Sequence, residues 1–330
     1  MSKNTQGSEK GLRIVYMGTP DFAVPALEEL MASQDEVVGV VTNPDRPSGR
    51  GKKMAAPPVK RAAEAAGIEV YQPRRVRTDE AYDHIVARAP DVIVVAAFGQ
   101  ILPARLLQLP THGCINIHAS LLPKYRGAAP INWCIVRGEA ETGVTIMQMD
   151  VGLDTGPMLM REATPIGAEE TAQEVHDRLA AIGAGLIVET MTRIREGRLE
   201  ATPQDDAQST YAPMLSKEHG RIDWTAPARD VANLIRGFNP WPGTYALLEG
   251  KDGPQRIKFH RARAVAASGA PGQVLEADAT TGRLIIACGE GAVSALELQV
   301  PGRKAMSAGA LLRGFELAMG DQFLLSPTES

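Results

Sequence analysis

From residue 12 to about residue 197 this chain alternates short apolar runs with segments of helical period, and few folds can absorb that order. The apolar runs are 12–17, a Val-rich 36–42, 91–97, 114–118 and 142–149; the helical segments are 21–33, 57–66, 78–89, 128–138 and 171–196. Gly67 and Gly197 follow two of these segments, where a residue free to take positive φ ends a helix. Strands alternating with helices predict a doubly wound α/β layer, in which parallel strands are joined by crossovers. A ligand of such a sheet lies at the carboxyl ends of its strands. Phe98-Gly99-Gln100 and the segment 116–123 begin at or near those ends. Gly18-Thr19-Pro20 follows the first strand without G-x-G-x-x-G spacing, which argues against a dinucleotide site.

The pattern does not continue to the end. Residues 199–209 are polar, with Pro203 and Asp205-Asp206, and read as the start of a linker. From about Tyr211 short strand-like runs appear at 245–248, 256–264, 272–277, 283–287 and 292–300, separated by Gly and Pro. Even spacing of short strands suggests a small, OB-like β-barrel. A length of 330 residues also favours two domains, since one core usually stops growing near ~250–300 residues. The expected division is a flexible tail at 1–11, an α/β domain at 12–198, a linker at 199–210 and the barrel domain at 211–330. Trp224, Phe238 and Trp241 are expected to pack around the barrel. Three cysteines without C-x-x-C spacing exclude a disulfide framework or zinc knuckle and suit a reducing cytoplasm. No apolar run reaches the ~18 residues of a membrane span. The net charge of −4 means that any nucleic-acid contact must come from a local basic patch.

Chemistry is concentrated in the stretch from Cys114 to Gly127. Side chains two apart on a strand share a face, so Asn116 and His118 stand side by side before Leu122-Pro123 breaks the ladder and Tyr125-Arg126-Gly127 turns the chain. An amide that can donate to a developing oxyanion, beside an imidazole that can move a proton near neutral pH, suits reaction at a carbonyl. A second stretch, Asp150-Val151-Gly152-Leu153-Asp154-Thr155-Gly156, is a Gly-rich acidic loop. A third clusters Arg46, Arg50, Lys52, Lys53, Lys60 and Arg61 within sixteen positions after the second strand.

The first stretch resembles the N-I-H-x-S-L-L-P segment of the folate-dependent formyltransferases, and the second resembles their D-x-G-x-D-T-G loop. The third, from Asn43 to Lys53, is similar to the basic insertion loop of the branch of that family that acts on tRNA. The resemblance runs from Arg13 to about Gly320. It implies a Rossmann-like catalytic domain followed by an OB-like tRNA-binding domain. It also implies a catalytic trio of Asn116, His118 and Asp154, with Asp154 holding His118 and helping to relay a proton. The implied reaction moves a formyl group from 10-formyltetrahydrofolate to the α-amino group of methionine carried by initiator tRNA, giving formylmethionyl-tRNA for translation initiation. No metal and no covalent enzyme intermediate is required. The resemblance further implies that Ser120, Leu121, Leu122 and Pro123 line the folate pocket. Phe98, Gly99 and Leu102 suit a pterin wall, since a flat heterocycle takes apolar side chains and backbone edges. Asp150 either contacts folate or holds its loop. Arg46, Arg50, Lys52 and Lys53 are the expected tRNA contacts, Arg50 foremost, because a cationic loop beside the ligand end suits a phosphate backbone. A cytoplasmic monomer is expected.

Other readings stay open on the residues alone. A relative that formylates a small amine, or a hydrolase that releases formate, would keep the same trio but have less use for the basic loop. A silent folate-responsive tRNA-binding protein would not need all three.

Overall fold

The computed structural model describes residues 11–48, 53–249 and 253–325; the expected tail 1–11 lies almost wholly outside them, as do Arg50 and Lys52. The chain divides into two compact units that interleave in sequence. The first takes the chain up to Gly127, then Gly143–Thr164 and His176–Tyr211; the second takes Ala128–Thr142, Pro165–Val175 and everything from Ala212.

The first unit is a seven-stranded sheet. Its strands are β1 (Arg13–Gly18), β2 (Glu36–Val41), β5 (Val70–Tyr71), β6 (Val92–Ala96), β7 (Cys114–His118), β9 (Glu141–Gln148) and β10 (Met158–Pro165), in the order β10-β9-β7-β6-β1-β2-β5. Between β2 and β5 a small hairpin pairs β3 (Arg46–Ser48) antiparallel with β4 (Lys53–Ala55), and the two-residue β8 (Arg126–Gly127) follows β7. The five strands from β5 to β7 run parallel, as the alternation predicts. Their crossovers carry α1 (Val24–Ala32), α2 (Pro58–Ala65), α3 (Asp79–Val86) and α4 (Ala104–Leu107) in turn. β9 then joins β7 antiparallel, so the sheet ends in a mixed edge. β1 gives Val15 and Met17 to one face and β6 gives Ile93 and Val95; with Phe98, Leu102, Leu106 and Cys114 they form one buried cluster. The order reverses beside β1, and there Asn43 Nδ2 donates to Phe98 O (2.6 Å) and Thr19 Oγ1 (2.9 Å), tying together the ends of three strands.

Helix α6 (Ala172–Arg195) is the long helix the periodicity predicts. Its start is a capping box: Thr171 N donates to Glu174 Oε2 (2.8 Å), and Glu174 N to Thr171 Oγ1 (3.4 Å). Further along, Arg195 reaches both carboxylate oxygens of buried Asp35, which also accepts from Leu12 N. The two-residue β11 (Tyr211–Ala212) stands at the last boundary between the units along the chain.

The second unit is built on an antiparallel sheet, β12 (Thr244–Leu248), β13 (Gln255–Val265), β16 (Ala292–Gln299), β15 (Arg283–Ala287) and β14 (Val274–Asp278) in that order, with β17 (Met306–Ser307) also paired to β16. The short run 321–324 bonds to both outer strands' neighbourhoods: Leu324 N to Leu247 O and Glu249 N to Gln322 O on one side, Val274 N to Asp321 O and Phe323 N to Gly272 O on the other. Trp224, Phe259 and Phe323 meet in the core with ring centroids 5.5–5.7 Å apart. Helix α5 (Pro130–Val136) belongs here because it packs on α7 (Ala228–Gly237); Asn132 Nδ2 donates to Gly237 O at 2.7 Å. Trp224 and Phe238 are buried as expected, but Trp241 is 52% exposed, flanked by prolines that can donate to no ladder.

Candidate active site

The period of β7 decides what the site contains. Ile115 and Ile117 are buried toward one side, Ile117 closely enough to α6 that a Cβ at Gly183 would come within 2.8 Å of it. Asn116 and His118 therefore share the other side, with Cys114. Burial pushes the Cys114 thiol up to about 12, which removes it as a nucleophile near neutral pH.

His118 is 5% exposed and both ring nitrogens face oxygen. Nε2 lies 3.0 Å from Tyr125 O, an acceptor only, so Nε2 donates there. Nδ1 lies 3.7 Å from Asp154 Oδ2, within ion-pair range but too long for a hydrogen bond. The imidazole is thus turned toward the protein, and Asn116, half-buried, has no side-chain hydrogen bond among the described residues.

Asp154 sits at φ 54°, a left-handed conformation that Asp tolerates better than most residues. Its Oδ2 accepts from Gly127 N at 2.8 Å, and its Oδ1 accepts nothing among the described residues. Two residues on, a Cβ at Gly156 would fall 1.9 Å from Gln148 O, so only glycine fits there. Asp150 Oδ1 accepts from Gly152 N (2.9 Å) and Thr155 Oγ1 (2.7 Å), both within the loop. Val151 and Leu153 project outward, 85% and 57% exposed.

The segment after His118 is pinned by Thr145, which faces His118 across the β7–β9 ladder. Its Oγ1 donates to Ser120 O (2.7 Å) and accepts from Leu122 N (3.1 Å). Ser120 is buried, its hydroxyl committed to Lys124 O, and Leu122 is buried; Leu121 and Pro123 are partly exposed. At the end of β6, Phe98 and Leu102 turn into the core while Gly99 is exposed and Ile101 is 91% exposed. Of the expected pterin wall, Gly99 and the neighbouring Ile101 are the parts that meet the surface.

The expected basic loop is in part a hairpin, with Arg46 and Lys53 exposed on β3 and β4; Arg50 and Lys52 lie outside the described residues. Lys60 is not free for phosphate, because its ammonium pairs with Asp45 at 3.1 Å. Hydrogen bonds from Gln72 and then Lys60 hold the Asp45 carboxyl below the usual range. Gln204, in the stretch read as a linker, was not anticipated: its Nε2 donates to Asp154 O (2.8 Å) and Gly156 O (2.7 Å). Nothing in its polar surroundings marks it in the sequence.

The chain matches the formyl transferase family over residues 12–191 and the formyl transferase C-terminal domain over residues 214–316. A methionyl-tRNA formyltransferase of Geobacter sulfurreducens is 52% identical over 312 residues, covering 94% of this chain and 96% of its own length. One from Trichlorobacter lovleyi is 51% identical over 321 residues, covering 97% and 98%. Among solved structures, WlaRD, a sugar 3N-formyl transferase crystallised in the presence of dTDP and 5-N-formyl-THF, aligns with a TM-score of 0.65. It covers 90% of this chain and 100% of its own at 19% identity, a likeness of fold.

Proposed function

The chain belongs to the methionyl-tRNA formyltransferase family, and we propose that it transfers a formyl group from 10-formyltetrahydrofolate to the α-amino group of methionine on initiator tRNA. The observation that carries the assignment of roles is the pairing of Asn116 and His118 on one face of β7 with the Asp154 carboxylate 3.7 Å from the imidazole. The donor supplies the formyl carbon and, as leaving group, N10, the bridging nitrogen between its pterin and benzoyl parts. Exposed Gly99 and Ile101 at the carboxyl end of β6 fit a flat heterocycle, with backbone for its edge and an apolar face.

Asn116, its amide unengaged among the described residues, donates to the formyl oxygen as the incoming amine pushes negative charge onto it. Asp154 Oδ1, with no partner among the described residues, takes the proton the amine sheds and returns it to the departing folate nitrogen, directly or through a water. Oδ2 stays on Gly127 N throughout, so the carboxylate does not swing. With Nε2 donating to the Tyr125 carbonyl, His118 supports Asp154 through Nδ1 only when the ring carries both protons. For Nε2 to reach the formyl oxygen it must first leave the Tyr125 carbonyl, a modest ring rotation.

Arg46 and Lys53 on the hairpin then meet the acceptor end of the tRNA, with Arg50 and Lys52 beside them in sequence. The second unit adds a basic face. Arg229, Arg236 and Arg261 are engaged by Gly138 O, Gly167 O and Glu174, whereas Arg256, Lys258 and Arg263 are exposed along one side of β13. Arg256 stacks 3.5 Å over the Tyr245 ring. The enzyme acts in the cytoplasm as a monomer.

The test is a single-turnover assay with 10-formyltetrahydrofolate and methionine charged on initiator tRNA, run beside free methionine and a nucleotide amino sugar. Formylation of the charged tRNA alone is expected. Formylation of a small amine alone, or release of formate without transfer, overturns the reading.

A further inference from the structure

We propose that Gln204 is a positioning residue for the transfer, fixing the Asp154 carboxylate against His118; this rests on the reading that Asp154 carries the proton. The amide of Gln204 is fully committed. Nε2 gives one hydrogen to Asp154 O (2.8 Å) and the other to Gly156 O (2.7 Å), while Oε1 accepts from Arg126 Nε (3.1 Å) and Nη2 (2.8 Å). Arg126 Nη2 also meets Asp206 Oδ1 at 2.7 Å. Turning the amide over would set its oxygen against two carbonyls and its nitrogen against a guanidinium, so the orientation is determined.

These contacts close a ring. The Arg126 side chain holds Gln204, Gln204 holds the backbone of Asp154, and the next backbone amide, Gly127 N, holds the Asp154 side chain at 2.8 Å. Both the carbonyl and the carboxylate of Asp154 are thereby referred to the dipeptide Arg126–Gly127. That dipeptide directly follows Tyr125, whose carbonyl holds His118. Asp154 holds φ 54° at some cost even for an Asp, and Gln204 supplies two of the bonds that keep the loop there. Misplacement of a reacting group by an ångström can cost about 10²-fold in rate.

Gln204→Glu isolates the role. The carboxylate keeps Arg126 as partner but has no hydrogen to give, and sets an oxygen against Asp154 O and Gly156 O. The expected result is a kcat about 10–100-fold lower with KM for charged tRNA and for the folate within about twofold, measured below the variant's own thermal midpoint so that the loss is not unfolding. Gln204→Met, which lacks both halves of the amide, should lose at least as much. The deciding measurement repeats Gln204→Glu in an Asp154→Asn background. A residue acting through Asp154 adds little loss there, whereas one that only braces the unit lowers kcat by the same factor in both backgrounds, which overturns the proposal. Unchanged kcat in Gln204→Glu overturns it too. If Asp154→Asn alone retains full turnover, it is the role of Asp154 that has failed.

Discussion

Two excursions from the first unit's sheet, the 150–156 loop and the 46–55 hairpin, are held in opposite ways. The loop is tied within itself by Asp150 and from outside by Gly127 and Gln204. The hairpin is tied by its own ladder, Arg46 opposite Ala55 and Ser48 opposite Lys53, and at its root by the Asp45–Lys60 pair. Its described cations reach into solvent. A group that passes protons must hold its place to a fraction of an ångström, whereas a group that gathers phosphates gains from reach and tolerates a range of positions. On the roles proposed above, the difference in anchoring would follow the difference in task.

The comparison breaks most visibly at the clamped end. His118→Ala is expected to lower kcat by about 10²–10⁴-fold while affinity for charged tRNA stays level, read by single turnover beside a binding titration. Surviving turnover would remove the chemistry from this face of β7. At the other end, replacing Arg46 and Lys53 together with Ala should leave the folate KM alone and raise that for charged tRNA several-fold. The logarithmic salt dependence of tRNA affinity should flatten by roughly one unit for each phosphate that the pair neutralises; an unchanged slope would make the hairpin plain solvated surface.

The smallest effect belongs to a pair outside both excursions, which calibrates them. The Thr171 backbone amide, and after it Arg261, hold the Glu174 carboxyl down to about 2, below its ordinary 4.5. A depressed folded value stabilises the fold fully above the ordinary one, and the contribution is lost as pH falls toward the depressed value. Glu174 is 44% exposed, so screening limits the effect to about 1 kcal/mol or less. Melting of Glu174→Gln against the parent should show a gap at pH 7 that narrows by pH 3.5, with kcat unmoved at neutral pH. A gap equal at both pH values would mean the charge is not what the cap uses.

The chemistry was legible where local rules and spacing agree. β7 announces itself by Ile115 and Ile117, and the Pro and Gly after it mark where the strand must stop. Asp154 needed the resemblance, because an Asp before Thr-Gly is otherwise an ordinary turn residue. β10 was missed since its exposed half carries Arg161-Glu162-Ala163 with no alternation between buried and open positions. Gln204 was beyond reach for a different reason: its partners lie 48 to 78 residues away, and a glutamine beside Pro203 and Asp205 looks the same whether it brackets a loop or faces water. The interleaving of the units was hidden likewise. Residues 128–138 read correctly as helical, yet nothing local tells that α5 packs on α7.

The run 321–324 bears on how the second unit behaves in solution. A sheet margin is a row of unmet donors and acceptors, and a second chain can add itself there as a further strand. Here four consecutive residues occupy both margins at once and set Phe323 beside Trp224 and Phe259. Cutting the chain back to residue 320 would therefore do more than empty part of a core. It would bare two templates for aggregation, so a fusion or purification tag belongs beyond residue 325, leaving that seal intact.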